Sequence, residues 1–216
     1  MNLEILYEDN HLIVVNKPEN ILSQGDNTND LDMLTILKEY IKKKYNKPGN
    51  VYLGLVHRLD RPTEGVMVFA RTSKAAKRLS EDIKNHKFIK RYLAVVNGIL
   101  DKKEGKLEDY LVKDEDKKMS FVTDSSKGKY AALEYKVLKE FDNKSLVDIL
   151  LLTGRHHQIR VQFKNINHPL IGDQKYGNDN SKHLMLCAYH LEFYHPVTKE
   201  KMIFEKIPDR FKNLQK

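Results

Sequence analysis

The 216-residue sequence has one cysteine, Cys187, and no tryptophan, and no run approaches the ~18 apolar residues of a membrane-spanning helix. A single cysteine excludes an internal disulfide and any paired-cysteine zinc or iron–sulfur site. No GxxxxGK[ST] or GxGxxG segment occurs, so the fingerprints of a phosphate loop and of a dinucleotide fold are missing. HExxH and GxSxG are absent too. The first twenty residues are interrupted by Glu4, Glu8, Asp9 and Lys17 and do not read as a secretory leader. These absences suggest a cytoplasmic protein, monomeric, with no cofactor, metal or membrane partner. His156 and His157 look like metal ligands, but adjacent positions on a helix point about 100° apart and share an ion poorly. Cys187 lies in the apolar run Leu184–Ala188 and is expected to be a buried small hydrophobe.

What is present is positive charge. Lys and Arg number 38 against 30 Asp and Glu, a net +8, which points to a polyanionic partner and to RNA or DNA first. The lysine runs 42–44, 102–103 and 117–118 read as solvated faces. Short β-branched runs dominate the pattern: His11–Val15, Val66–Ala70, Tyr92–Val96, Ala131–Leu138 and Leu146–Leu152, the last apolar enough for a central strand. Two stretches carry helical periodicity. Leu31–Tyr45 aligns Leu34, Leu37, Ile41 and Tyr45, with Asn29 or Asp30 as N-cap and Pro48-Gly49 as stop. Ser73–His86 aligns Ala76, Leu79 and Ile83, with Ser73 as N-cap. A third helix capped by Thr153 would turn Ile159 and Phe163 inward. Strands outnumber helices without alternating with them, which predicts an α+β fold with a mixed, mostly antiparallel sheet flanked by helices and loops. A single domain over residues 1–216 is expected, with a polar, exposed excursion at 101–129 and disorder in the last few residues.

Three segments carry chemistry. His57–Gly65 (HRLDRPTEG) holds an aspartate in a turn at the entrance of a strand; taken alone it is an Asx-type turn with a surface salt bridge. Lys90–Gly98 (KRYLAVVNG) sets a tyrosine beside two cations at the start of another strand. Leu152–Gly177 (LTGRHHQIRVQFKNINHPLIGDQKYG) puts Arg155 and Arg160 just after the most apolar run.

In this order the segments resemble the RluA family of pseudouridine synthases. The family's HRLDxxTSG is matched except that Glu64 replaces Ser. Its KxYxA is matched by Lys90, Tyr92 and Ala94. Its TGRxHQ(I/L)R…HP(I/L)xGDxxYG is matched by Thr153, Gly154, Arg155, His157, Gln158, Ile159, Arg160, His168, Pro169, Leu170, Gly172, Asp173, Tyr176 and Gly177. An early VxKPxG survives as Val15-Asn16-Lys17-Pro18, with Asn20 in place of Gly, and a late LLHA carries Cys187 in place of His. The likeness runs from about residue 5 to residue 205, so no S4-type RNA-binding domain is expected before it.

The resemblance implies the pseudouridine synthase fold and a cofactor-free isomerase acting on uridines of structured RNA, in tRNA or large-subunit rRNA. The N1–C1′ bond breaks, the uracil turns over, and C5 bonds to C1′. By resemblance Asp60 is the catalytic carboxylate, a nucleophile on C1′ or C6 or a base. Arg160 keeps that carboxylate ionised and aimed, and Tyr92 packs on the uracil and helps remove the C5 proton. Because the target base must leave its stack, Arg58 is a candidate to fill the gap or hold a flanking phosphate. Arg155, Lys17, Lys90 and Arg91 are further candidate RNA contacts. The alternative is a non-catalytic RNA-binding or ribosome-assembly protein retaining the fold, which would have no reason to keep Asp60, Tyr92 and Arg160 together.

Overall fold

The computed structural model describes residues 3–28, 30–179 and 181–215. In chain order the elements are β1 (Glu4–Glu8), β2 (Leu12–Lys17), α1 (Met33–Lys44), β3 (Gly54–Leu55), β4 (Glu64–Ala70), α2 (Ser73–Lys84), β5 (Ile89–Asn97) and β6 (Glu104–Asp114). There follow β7 (Met119–Thr123), β8 (Lys129–Phe141), β9 (Lys144–Leu151), α3 (Gln158–Asn165), β10 (Leu186–Tyr194), β11 (Lys201–Glu205) and α4 (Asp209–Gln215). The expected α+β class, with a mixed and mostly antiparallel sheet flanked by helices, is what forms.

Where one domain was expected, the chain makes two compact units. One is the chain to Ile89 with His190–Lys206; the other is Lys90–Tyr189 with the chain from Ile207. Nothing in the composition marks this division, because it falls at the start of β5 and not in a polar linker.

In the first unit β2 pairs antiparallel with both β1 and β4, and its register sets Leu12 opposite Ala70 and Lys17 opposite Gly65. Successive strand residues face opposite ways, and both faces of β2 and β4 are buried. Leu12, Val14, Val66, Val68 and Ala70 pack with Ala75 and Leu79 of α2, Phe88, Leu191 and Phe193. Ile13, Val15, Met67 and Phe69 fill the other face. That two-sided burial explains the unbroken apolar runs read as strands. Helix α1 starts later than the periodicity suggested: its N-cap is Asp32, whose carboxylate accepts from the Thr35 N–H. Leu31 lies outside it and is exposed, and Asn29 is outside the described residues. Helix α2 is capped by Thr72, one residue before the expected Ser73.

In the second unit the strand order is β5-β9-β8-β6-β7, with every described pairing antiparallel. The apolar run became β9, an interior strand paired on both sides, with β5 and β8. The excursion at 101–129 did not remain unstructured. It forms β6 and β7, a hairpin whose turn follows Asp114. Its low apolar content reflects one face buried and one exposed: Leu111 and Ser120 are buried while Tyr110, Val112 and Phe121 are exposed. Leu111 and Ala131 pack with Val161 of α3 and Tyr176. Cys187 is fully buried among Leu93, Val95, Leu146 and Phe211, the environment expected of it. The terminal disorder expected is absent as far as Gln215, where α4 ends; Lys216 is outside the described residues.

Candidate active site

Asp60 lies in the loop that enters β4, and the residues on either side of it are tied down. Ser23 Oγ donates to the Leu59 carbonyl at 2.7 Å and accepts from the Leu59 N–H at 3.1 Å. The Thr63 N–H closes a turn on the Asp60 carbonyl at 3.0 Å. Lys17 is 0% exposed, and its Nζ donates to the carbonyls of Arg61 (3.1 Å), Pro18 (2.9 Å) and Ile21 (2.7 Å). His57 Nε2 accepts from the Val68 N–H at 3.1 Å and ties the start of HRLD to the middle of β4. The loop that carries Asp60 is thereby clamped at 57, 59, 60 and 61.

The burial of Lys17 corrects the sequence reading. A side chain with no exposed surface, whose protons are spent on three carbonyls, cannot meet an RNA phosphate. It is a structural cation under the Asp60 loop. Burial pushes its pKa down to about 7, opposed by the carboxylates of Asp60 and Glu64. Arg58, two residues before Asp60, is exposed and makes no hydrogen bond or ion pair among the described residues, so its guanidinium is available. Arg61 is exposed and pairs with Asp30 at 2.7 Å.

Tyr92, Arg160, Arg155, Lys90 and Arg91 belong to the second unit. Tyr92 sits in β5 opposite Ile149, 7% exposed. Strand alternation sends Lys90 to the same side as Tyr92 and Arg91 to the other. There Arg91 forms a two-point ion pair with Asp148 and donates to the Tyr189 hydroxyl at 3.2 Å. This corrects its assignment as a phosphate contact beside Tyr92: its charge is matched by a carboxylate on the opposite side of the strand.

Arg160 lies in the first turn of α3. Its Nε and Nη2 grip Asp173 in a bidentate pair at 2.8 and 2.7 Å, with the two side chains 4% and 0% exposed. Its guanidinium stands 5.1 Å from the centroid of the Tyr176 ring. Asp173 Oδ1 also accepts from the backbone N–H groups of Lys175 and Tyr176, so the buried carboxylate is well satisfied. Asp173 is a partner of Arg160 that the sequence reading missed. The signal was present in the matched GDxxYG segment, since a buried arginine needs a buried counter-charge. The turn before Asp173 also needs its glycine. Gly172 has φ +74°, and a Cβ there would come within 1.9 Å of the His183 carbonyl oxygen.

The segment between β9 and α3 is organised by Gln158. Its Oε1 accepts from the Thr153 hydroxyl and the Arg155 N–H, and its Nε2 donates to the Ala132 carbonyl. Thr153 therefore anchors the loop to β8 and does not cap α3; the N-cap is His157, in the left-handed region at φ 54°. His157 Nδ1 is 2.8 Å from the Tyr176 hydroxyl, which also accepts from the Ser120 N–H. His156 stacks on His157, and its Nδ1 bonds Ser120 Oγ at 2.8 Å. Arg155 is exposed, with Nε tied to the Tyr130 carbonyl at 2.8 Å. Among the described residues no three His, Cys, Asp or Glu side chains gather as a metal site.

Residues 11–165 match the family described as RNA pseudouridylate synthase. A ribosomal large subunit pseudouridine synthase D of Borreliella burgdorferi is 34% identical over 97% of this chain and 66% of its own length. An uncharacterized RNA pseudouridine synthase of Aquifex aeolicus is 36% identical over 98% of this chain and 72% of its own length. The solved structure of human RNA Pseudouridylate Synthase Domain Containing 4 superimposes with a TM-score of 0.80 at 25% identity, covering 96% of this chain and 90% of that one. The chain belongs to the RNA pseudouridylate synthase family. It spans just under two thirds of the Borreliella relative.

Proposed function

We propose that the protein isomerises uridines to pseudouridine in structured RNA, with large-subunit rRNA and tRNA as the substrates to try first. The observation that carries this reading is the Asp60 loop: a matched HRLD aspartate, clamped by Ser23, Lys17 and Thr63. The reaction asks little beyond such a carboxylate. The N1–C1′ bond breaks, C5–C1′ forms, and the proton lost from C5 is balanced by one gained at N1, so no electron carrier or phosphoryl donor is called for. Asp60 meets C1′ or C6 of the flipped nucleotide, or acts as a base. Tyr92 offers a ring to stack on uracil and a hydroxyl for the C5 proton. Arg160 supplies a fixed positive charge. Arg58, exposed and unpaired, fits the role of holding the flanking strand.

The test is tritium release from large-subunit rRNA or tRNA transcribed with 5-tritiated uridine. Wild-type protein should release tritium, and Asp60→Asn, of equal size but without the charge, should release none while still binding RNA. Full activity in the purified asparagine variant overturns the role of Asp60. A wild type inert on both RNAs overturns the substrate assignment.

A further inference from the structure

Lys90 is the one candidate cation on the Tyr92 side of β5, and its surroundings are unusual. It is half-buried, and among the described residues it makes no ion pair and no hydrogen bond. A Cβ built on Gly154 would lie 3.6 Å from Lys90 Nζ, so the ammonium rests against a position with no side chain. Gly154 is exposed, and its N–H donates to nothing among the described residues. Arg155, next in the chain, is exposed and has no carboxylate partner among the described residues. Burial alone holds the Lys90 ammonium below the ordinary lysine range. A partly desolvated cation is costly to leave unmatched. Here it rests against the position where Gly154 has no side chain, with the Gly154 N–H unbonded among the described residues and Arg155 next in the chain.

We propose that Lys90 Nζ and the Gly154 backbone form a seat for one phosphodiester of the RNA strand, next to the uridine received on the Tyr92 side, with Arg155 reinforcing its field. The proposal deepens the reading of the protein as an RNA uridine isomerase and rests on it. An ammonium suits such a seat, being a point charge with three donors that binds phosphate without needing a planar fork. Gly154 keeps the ammonium open. The backbone there is not in the left-handed region, so an alanine fits, but its methyl would cover the Nζ.

Three variants test the seat against a fluorescein-labelled oligouridylate over a salt series. Lys90→Met should weaken binding about tenfold, the worth of one charge-assisted contact. It should also make the log–log salt slope shallower by about 0.7, the loss of one phosphate on a single strand. Lys90→Arg should restore the slope, and Gly154→Ala should weaken binding with the charge still in place. A Lys90→Met protein with the wild-type slope overturns the proposal. So does a Lys90→Arg protein as impaired as Lys90→Met, which would make the role one of packing, or a Gly154→Ala protein that binds as wild type does. Tritium release by the wild type, measured alongside, separates these outcomes from failure of the isomerase reading: an inactive wild type counts against that reading, and an altered slope in an active one bears on the seat alone.

Discussion

Lys17 puts a charge where charge is most expensive, with no exposed surface and three carbonyls as its solvent. Lys17→Met keeps the length of the chain but strands those carbonyls, and the expected loss is about 1–3 kcal/mol in urea denaturation. Turnover should fall as well, because the Arg61 carbonyl is one residue from Asp60. The pH dependence follows from the same burial. With a folded pKa of about 7 against an ordinary 10.5, the unfolded chain holds the extra proton between those values. Stability must then rise with pH across that window. The Lys17→Met variant should lack that share of the rise; an identical slope in both proteins between pH 7 and 10 would mean that Lys17 keeps its proton when folded. Arg160 and Asp173 make the complementary case. Asp173→Asn takes the carboxylate out of a buried bidentate pair, and the expected cost is about 3–5 kcal/mol, read as a lowered midpoint of unfolding. Of these residues, Lys17 and Arg160 were visible in the sequence as charges worth explaining. The partners described above were not: those of Lys17 are backbone carbonyls and Asp173 is an aspartate thirteen residues from Arg160, and spacing alone does not indicate burial.

Among the elements, the strands β2, β4, β5 and β9 were legible because most of their residues are buried on both faces and the sequence writes them as apolar runs, and β8 through its short buried stretch at Ala131, Ala132 and Leu133. The hairpin of β6 and β7 was not legible. With one face exposed, its alternation dissolves into Lys, Asp and Glu, and much of its anchoring comes from contacts distant in sequence. The Ser120 N–H reaches the Tyr176 hydroxyl, Ser120 Oγ reaches His156, and Asp109 accepts from Gln162 and Asn165 of α3. The hairpin thereby holds the segment that carries Arg155 and Arg160. Tyr176→Phe removes the acceptor of a buried N–H and a partner of His157, at an expected cost of about 1–3 kcal/mol. Hydrogen exchange locates the effect: amides of β7 should lose protection ahead of those of β9. Uniform loss across both strands would show that the hairpin opens only with the whole unit.

For the molecule as a whole, the net charge of +8 sets the electrostatic part of RNA affinity, and shape must supply the rest. One face of a domain of this size engages on the order of five phosphates. Counterion release then gives a log–log salt slope of about −3.5 for single-stranded contacts and about −4.5 for duplex ones. A term of that size does not choose among uridines. Selection has to come from loop shape, flanking bases and the ease of flipping the target, all of which a short hairpin retains. A stem-loop holding the target uridine and about one helical turn of stem should therefore react nearly as well as the full transcript at fixed salt. The measurement is kcat/KM on both. A drop beyond about a hundredfold on the stem-loop, roughly 2.7 kcal/mol of transition-state stabilisation, would mean that recognition depends on RNA structure or a partner beyond the hairpin. Lys90→Met refines the comparison. If its phosphate lies next to the target, the variant should lose the same factor on both RNAs, because both contain that phosphate.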